Sequence, residues 1–257
     1  MNTLKLNKTI LFLVATTFLA AGCSNGSFQL PDDPNDESSF ASEGSGSEGS
    51  SAVTDPGTET PAEVPAVEEP PQLVESAEDA VLAKYAHLDP KHLINTTHLK
   101  AAVLYYDANK AKIKRPEYMT VIDYSLKSTK ARFFIVTMST GAVQALHVAH
   151  GKGSDSNHDG YAEKFSNVEG SNATSLGFFF TAETYNGSNG YSLRLDGLSS
   201  TNSRARERAI VIHGASYVQE KEVIQGRSWG CPALESSLSK GIINQIKGGT
   251  LVYSAYK

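Results

Sequence analysis

The chain has 257 residues, 40% of them apolar, with 23 Lys and Arg against 28 Asp and Glu for a formal net charge of −5. That length permits one or two domains, and the composition is that of an ordinary soluble protein. The net charge averages over an acidic N-terminal tract and a basic remainder, so it excludes no partner until its distribution is read.

Residues 1–22 read as a lipoprotein signal peptide. Lys5 and Lys8 form the positive n-region, Ile10 to Leu19 the apolar stretch, and Leu19-Ala-Ala-Gly-Cys23 the cleavage site. The apolar run is too short for a membrane span. Gly22-Cys23 resembles a bacterial lipobox, which makes Cys23 the lipidated first residue of the mature chain; Ala20 stands where Leu is usual, with Leu19 one place earlier. The alternative is a plain signal peptide cut nearby. Ser24 after the Cys resembles lipoproteins sorted to the outer membrane, so a lipid-anchored place in the cell envelope, facing the periplasm, is expected. The chain has two cysteines. With Cys23 acylated, Cys231 has no intramolecular disulfide partner, and a lone thiol in an oxidising compartment is either used or buried.

Residues 23–75 are rich in Gly, Ser, Pro and acids, and no Lys or Arg occurs between Lys8 and Lys84. Such a segment buries too little apolar surface to offset its ordering entropy and is expected to be a disordered linker. As a flexible tether it would span roughly 40 Å. From Lys84 onward the balance reverses, to 21 basic residues against 14 acidic ones. A basic domain suits an anionic polymer such as carboxylate-bearing peptidoglycan. A secretory leader and the lack of any nucleic-acid motif argue against nucleic acid.

Helical spacing is read over 77–87 and about 95–112, with Leu99, Val103 and Tyr106 on one face and Leu93, Leu99 and Leu104 assigned to the core. Pro116 ends this segment, so 76–116 is expected to be a helical extension packed on a domain of 117–257. Strand-like runs follow at Met119–Leu126, Arg132–Met138, Ala142–His147, Leu176–Thr181, Ser192–Leu195, Ala209–His213 and Thr250–Ala255. One helix, Glu235–Lys247, is expected before the stop at Gly248-Gly249. The fold class is mainly β with α.

Two residues near the C-terminus carry the chemistry. Ile210-Val-Ile-His213-Gly is an apolar strand ending in His-Gly, and Ser228-Trp-Gly230-Cys231 is a Gly-flanked thiol 18 positions on. A free thiol titrates near ~8.5 and needs a base to become a nucleophile. An imidazole within hydrogen-bond reach supplies one. Gly230 lets a substrate approach the backbone, and amides at Trp229 and Gly230 can face a developing oxyanion. The competing reading is a core histidine and a small buried cysteine.

These residues, with Val148-Ala-His150-Gly-Lys-Gly-Ser154, Phe165-Ser-Asn167, Ser175-Leu-Gly177, Tyr191-Ser-Leu-Arg194-Leu-Asp-Gly197 and Arg208-Ala-Ile-Val, resemble the catalytic domain of YkuD-type murein L,D-transpeptidases over roughly residues 90 to 257. Two positions depart from the pattern. Trp229 stands where many members have His, and Pro232-Ala-Leu follows the Cys where members often carry Arg. The resemblance implies a YkuD-like β-sandwich and a cysteine acyltransferase that needs no cofactor. It implies that Cys231 attacks the L-centre carbonyl of a peptidoglycan stem, with His213 moving the proton and a second stem's amine as acceptor. It also implies acylation of Cys231 by carbapenems. With water as acceptor the same pair is an L,D-carboxypeptidase or wall hydrolase. A module of another class, a non-catalytic wall-binding lipoprotein, would use the cleft for recognition alone.

The remaining constellations are less specific. Arg227 suits a bidentate grip on a stem carboxylate, and Ser228 a hydrogen bond near the His–Cys pair. Trp229 is either a stacking wall or a core anchor. His150 is read equally as a substrate contact or as a loop histidine, and Tyr191, with Tyr185 and Tyr217, as a groove residue. Arg194 and Asp196 form either a structural pair or part of the groove. Asp155-Ser-Asn-His-Asp-Gly160 matches half a calcium loop, but Ser166 stands where the bidentate Glu is due, so no metal is expected.

Overall fold

The computed structural model describes residues 76–257. The signal peptide, the lipidated Cys23 and the acidic linker expected within residues 1–75 lie outside the described residues.

Two helices come first. α1 (Ala77–Lys84) is capped by the Ser76 hydroxyl, which accepts from the Asp79 amide. α2 (Thr96–Asn109) is capped by Asn95, whose side-chain oxygen accepts from Thr97 and His98 amides. α2 buries His98, Ala102, Val103 and Tyr106, one stripe at helical spacing. Leu93, expected in the core, is 42% exposed. The buried residue of that turn is Ile94, because Asp89 accepts from the Leu93 and Ile94 amides and turns the chain there.

Eight strands follow: β1 (Tyr118–Asp123), β2 (Phe133–Thr137), β3 (Val143–Leu146), β4 (Gly177–Gly187), β5 (Gly190–Gly197), β6 (Val211–Ala215), β7 (Ala233–Glu235) and β8 (Leu251–Ala255), with α3 (Ser236–Ile246) between the last two. They form one mixed sheet in the order β3-β2-β1-β8-β4-β5-β6-β7, parallel at β1–β8 and β6–β7. β1 and β2 are buried on both faces, which explains their unbroken apolar runs. Met119, Val121, Phe134 and Val136 meet α2 on one side; Ile122, Phe133 and Ile135 enter the other core, with Leu193, Leu195 and Ile212.

That second core draws on every strand, from β3 at one end of the order to β7 at the other, and on Ile242, Ile243 and Ile246 of α3. The sheet therefore curls over itself. Its two ends meet where Ala149, just after β3, bridges Ala233 of β7. This closure gives the α+β, sandwich-like architecture expected from the sequence. It also brings the chain after β3 against the chain before β7, where the cysteine lies.

Four strands differ most from the sequence reading. β4 and β5 are longer than expected and join in a hairpin across Ser188-Asn189. β6 begins at Val211, because Ala209 sits in a turn at φ +52°. β7 has three residues, too few for alternation to show.

Candidate active site

His213 lies in the middle of β6, between Ser192 of β5 and Ala233 of β7. Gly214, next in the chain, is where α3 rests on the strand: a Cβ there would stand 2.5 Å from the Ser239 hydroxyl. The His213 ring is buried, and Nδ1 lies 3.0 Å from the Gly214 carbonyl. A carbonyl only accepts, so Nδ1 carries the proton and Nε2 keeps its lone pair. Burial pushes the His213 pKa below its ordinary value, against a smaller upward pull from that hydrogen bond. The ring is neutral at pH 7.

Cys231 precedes Ala233 by two residues, so the parallel register sets it beside the start of β6. Its thiol donates to the Ala209 carbonyl at 3.6 Å, the residue with the left-handed backbone. Burial pushes the thiol pKa up; the Val211 backbone and the Arg208 charge pull it down. Among the described residues no hydrogen bond joins Cys231 to His213. The resting pair is a neutral thiol and a neutral imidazole, facing one cleft of about 470 Å³ that Arg208, Tyr217, Arg227, Ser228 and Trp229 also line.

The thiol loop is held from below. Ser228 donates its hydroxyl to the Cys231 carbonyl at 2.7 Å and accepts the Gly230 amide at 3.1 Å. The Ser228 amide donates to His150 O, and the Lys152 amide to Ser228 O, so residues 149–152 pair with the loop like an added strand. Gly230 has φ +117°, and a Cβ there would come 2.7 Å from the Ala173 carbonyl. No other residue fits that approach without strain.

The expected site residues separate into two groups. Cys231, His213, Arg227, Ser228 and Trp229 share the cleft. Arg227 is anchored to the Asp155 and Ser156 carbonyls, and Trp229 is 74% exposed, with Lys152 Nζ 5.5 Å from its ring centre. The Gly230 amide, expected to face an oxyanion, is spent on Ser228; the Trp229 and Cys231 amides have no partner among the described residues.

His150 and Tyr191 do not reach the cleft. His150 is buried: Arg132 Nη2 donates to its Nδ1 at 2.6 Å, so Nε2 carries the proton and donates to Asp155 at 3.0 Å. Burial and the Arg132 charge push its pKa down to about 4. It is a structural strut, not a substrate contact. Asp155 is equally committed, accepting from His150 and from the Asp159 and Gly160 amides. Tyr191 stands against α3, its hydroxyl donating to Asn244 at 2.9 Å and accepting from Lys247. Arg194 and Asp196 each pair with an exposed neighbour, Glu183 and Arg206.

Arg208 was not singled out by chemistry in the sequence, where it appears only inside the Arg-Ala-Ile-Val run. Its nearness to the thiol follows from the left-handed turn at Ala209, which carries no sequence signature.

The family model for the L,D-transpeptidase catalytic domain matches residues 90–255. The chain belongs to this family. No curated protein matches it in sequence. Among solved structures, an L,D-transpeptidase from Mycobacterium smegmatis is 12% identical, with 54% of this chain and 58% of that chain covered and a TM-score of 0.34. One from Mycobacterium tuberculosis H37Rv is 13% identical over 54% and 57%, at 0.36. Residues 123–326 of one from Xylanimonas cellulosilytica give 16% over 61% and 68%, at 0.33. The chain thus spans under three fifths of the two mycobacterial proteins.

Proposed function

We propose that this chain is a peptidoglycan L,D-transpeptidase with Cys231 as nucleophile and His213 as its base. Nε2 of His213 takes the thiol proton as sulfur attacks the L-centre carbonyl of a stem peptide. The Trp229 and Cys231 amides meet the oxyanion. The C–N bond breaks, His213 returns the proton to the leaving D-amino acid, and a thioester remains. An acceptor amine then attacks the thioester, gives its proton to His213, and displaces the thiolate. The observation that carries this reading is the neutral His213, locked by Gly214 O so that its lone pair is on Nε2, in the same cleft as Cys231.

The full chain incubated with a stem tetrapeptide and an acceptor stem should release the fourth residue and yield a cross-linked product by mass spectrometry. Release without cross-link would make it a carboxypeptidase, and no release at all would leave a wall-binding module. We further propose anchoring to a membrane through lipid on Cys23, with residues 23–75 as the tether that lets the domain reach the wall.

A further inference from the structure

Arg208 stands in the wall between two cavities. One is the cleft of Cys231; the other, about 530 Å³, is lined by Lys152, Glu169, Asn172, Glu207 and Trp229. Arg208, Ala209 and Trp229 are common to both. The half-buried guanidinium donates to Ser166 O at 2.6 Å, Ala173 O at 2.7 Å, Ser171 Oγ at 3.2 Å and Ser175 Oγ. All four acceptors are neutral. Among the described residues Arg208 has no carboxylate partner, and the two nearby glutamates, Glu169 and Glu207, pair instead with Arg204. A guanidinium keeps its charge when desolvated. Four clamps therefore fix an uncompensated positive charge at the edge of the thiol's cleft.

The other groups facing the thiol do not supply that charge. His213 on β6 is neutral. Tyr217, beyond β6, has its pKa pushed up to about 12 and stays protonated. Tyr185 on β4 lines the same cleft, and Tyr124 after β1 is buried and held protonated. Arg227 is a second cation on the cleft, tied to the Asp155 and Ser156 carbonyls, but Arg208 is the one whose charge acts on the thiol. Among the described residues no carboxylate lines the cleft. The Arg208 charge lowers the thiol pKa, and the thiolate would raise that of Arg208 in return.

We propose that Arg208 is the positioning residue that stabilises the Cys231 thiolate once His213 has taken its proton. The inference rests on Cys231 being the nucleophile. The S–H bond breaks, the proton goes to Nε2 of His213, sulfur keeps the electron pair, and Arg208 exchanges no proton. A fixed cation does little for the neutral thiol and much for the anion, so it lowers the cost of charge separation in a resting pair that is neutral.

The test is the pH dependence of iodoacetamide alkylation at Cys231 in the full chain, followed on the Cys231 peptide by mass spectrometry. This needs no turnover, so a failure here is distinct from a failure to cross-link stems. Arg208→Gln should raise the alkylation midpoint by about one pH unit, roughly a tenfold loss of thiolate at pH 7. Arg208→Lys, which keeps the charge and loses the fork, should restore most of the shift. A folded Arg208→Gln protein with the wild-type midpoint overturns the proposal. Where Arg208→Gln does not fold, Arg208→Lys decides alone: a midpoint within a few tenths of wild type supports the charge, and a folded Lys variant shifted by a full unit makes Arg208 a clamp only.

Discussion

At the scale of single residues, the site is built for a neutral start. A thiol pushed up by burial and an imidazole pushed down by burial do not exchange a proton at rest. The acid limb of kcat/KM should therefore lie below the ordinary histidine value of ~6.5; a limb well above it would contradict a neutral His213. His150 gives a second titration. Its folded pKa, about 4, is depressed, so its stabilising contribution is present above ~6.5 and lost as pH falls toward 4. Over that window the unfolded chain binds a proton that the folded chain refuses, a loss on the order of 3 kcal/mol. Urea midpoints measured from pH 7 to 4 should fall less steeply in His150→Gln than in wild type, and equal slopes would count against the strut. His213 and Cys231 stood out in the sequence because each adjoins Gly and His213 follows an apolar run, although His213 lies mid-strand in β6 and Cys231 two residues before β7. His150 stayed open between substrate contact and loop histidine, and Tyr191 was placed in the groove, because a histidine in a Gly-rich loop and a tyrosine on a strand look alike whichever way they point. Only packing separates the cases: Arg132 lies 18 positions from His150, and Asn244 lies 53 from Tyr191.

At the scale of elements, the cleft depends on how closely α3 and the loop of residues 149–152 approach the strands. Gly214→Val would drive side-chain carbons into Ser239 on α3, displacing His213 along with β6. A loss of about 1–3 kcal/mol is expected, measured by thermal unfolding together with a fall in kcat; a wild-type melting temperature would mean that α3 yields freely. The helices and the longer strands could be read from periodicity, since 3.6- and 2-residue repeats reflect which face is buried. β7 could not, because three residues carry no period and it exists only through pairing with β6. The start of β6 was misjudged by two residues because Ala209, in the left-handed region, has no glycine to mark it. The aromatic column Tyr105–Phe178–Tyr253, stacked at 3.7 and 4.3 Å, ties α2 to β4 and β8 and is likewise a product of the fold alone.

At the scale of the molecule, two regions of opposite charge share one chain. The core drawn from all eight strands closes within the described residues. A chain beginning at Ser76 should fold, and its Cys231 should alkylate at the wild-type rate; loss of folding would show that the acidic tract contributes to the core. If Cys23 carries lipid, Cys23→Ala should move the full chain from the membrane fraction to the soluble one, and a wild-type chain already soluble would rule out the anchor. The family and its fold were legible because several short motifs occur in order over residues 90–255. The meeting of the two cavities at Arg208, Ala209 and Trp229 was not, because residues 169–172 and 207–209 come beside Trp229 only in the folded chain.

The most direct test of the central claim is the mass of the intact protein after exposure to a carbapenem, whose strained carbonyl mimics the scissile amide. The account predicts one covalent adduct, mapped to Cys231, absent in Cys231→Ala and formed only slowly at high pH in His213→Ala. An adduct that forms at the wild-type rate in Cys231→Ala, or a Cys231→Ala protein that still cross-links stems, would contradict it.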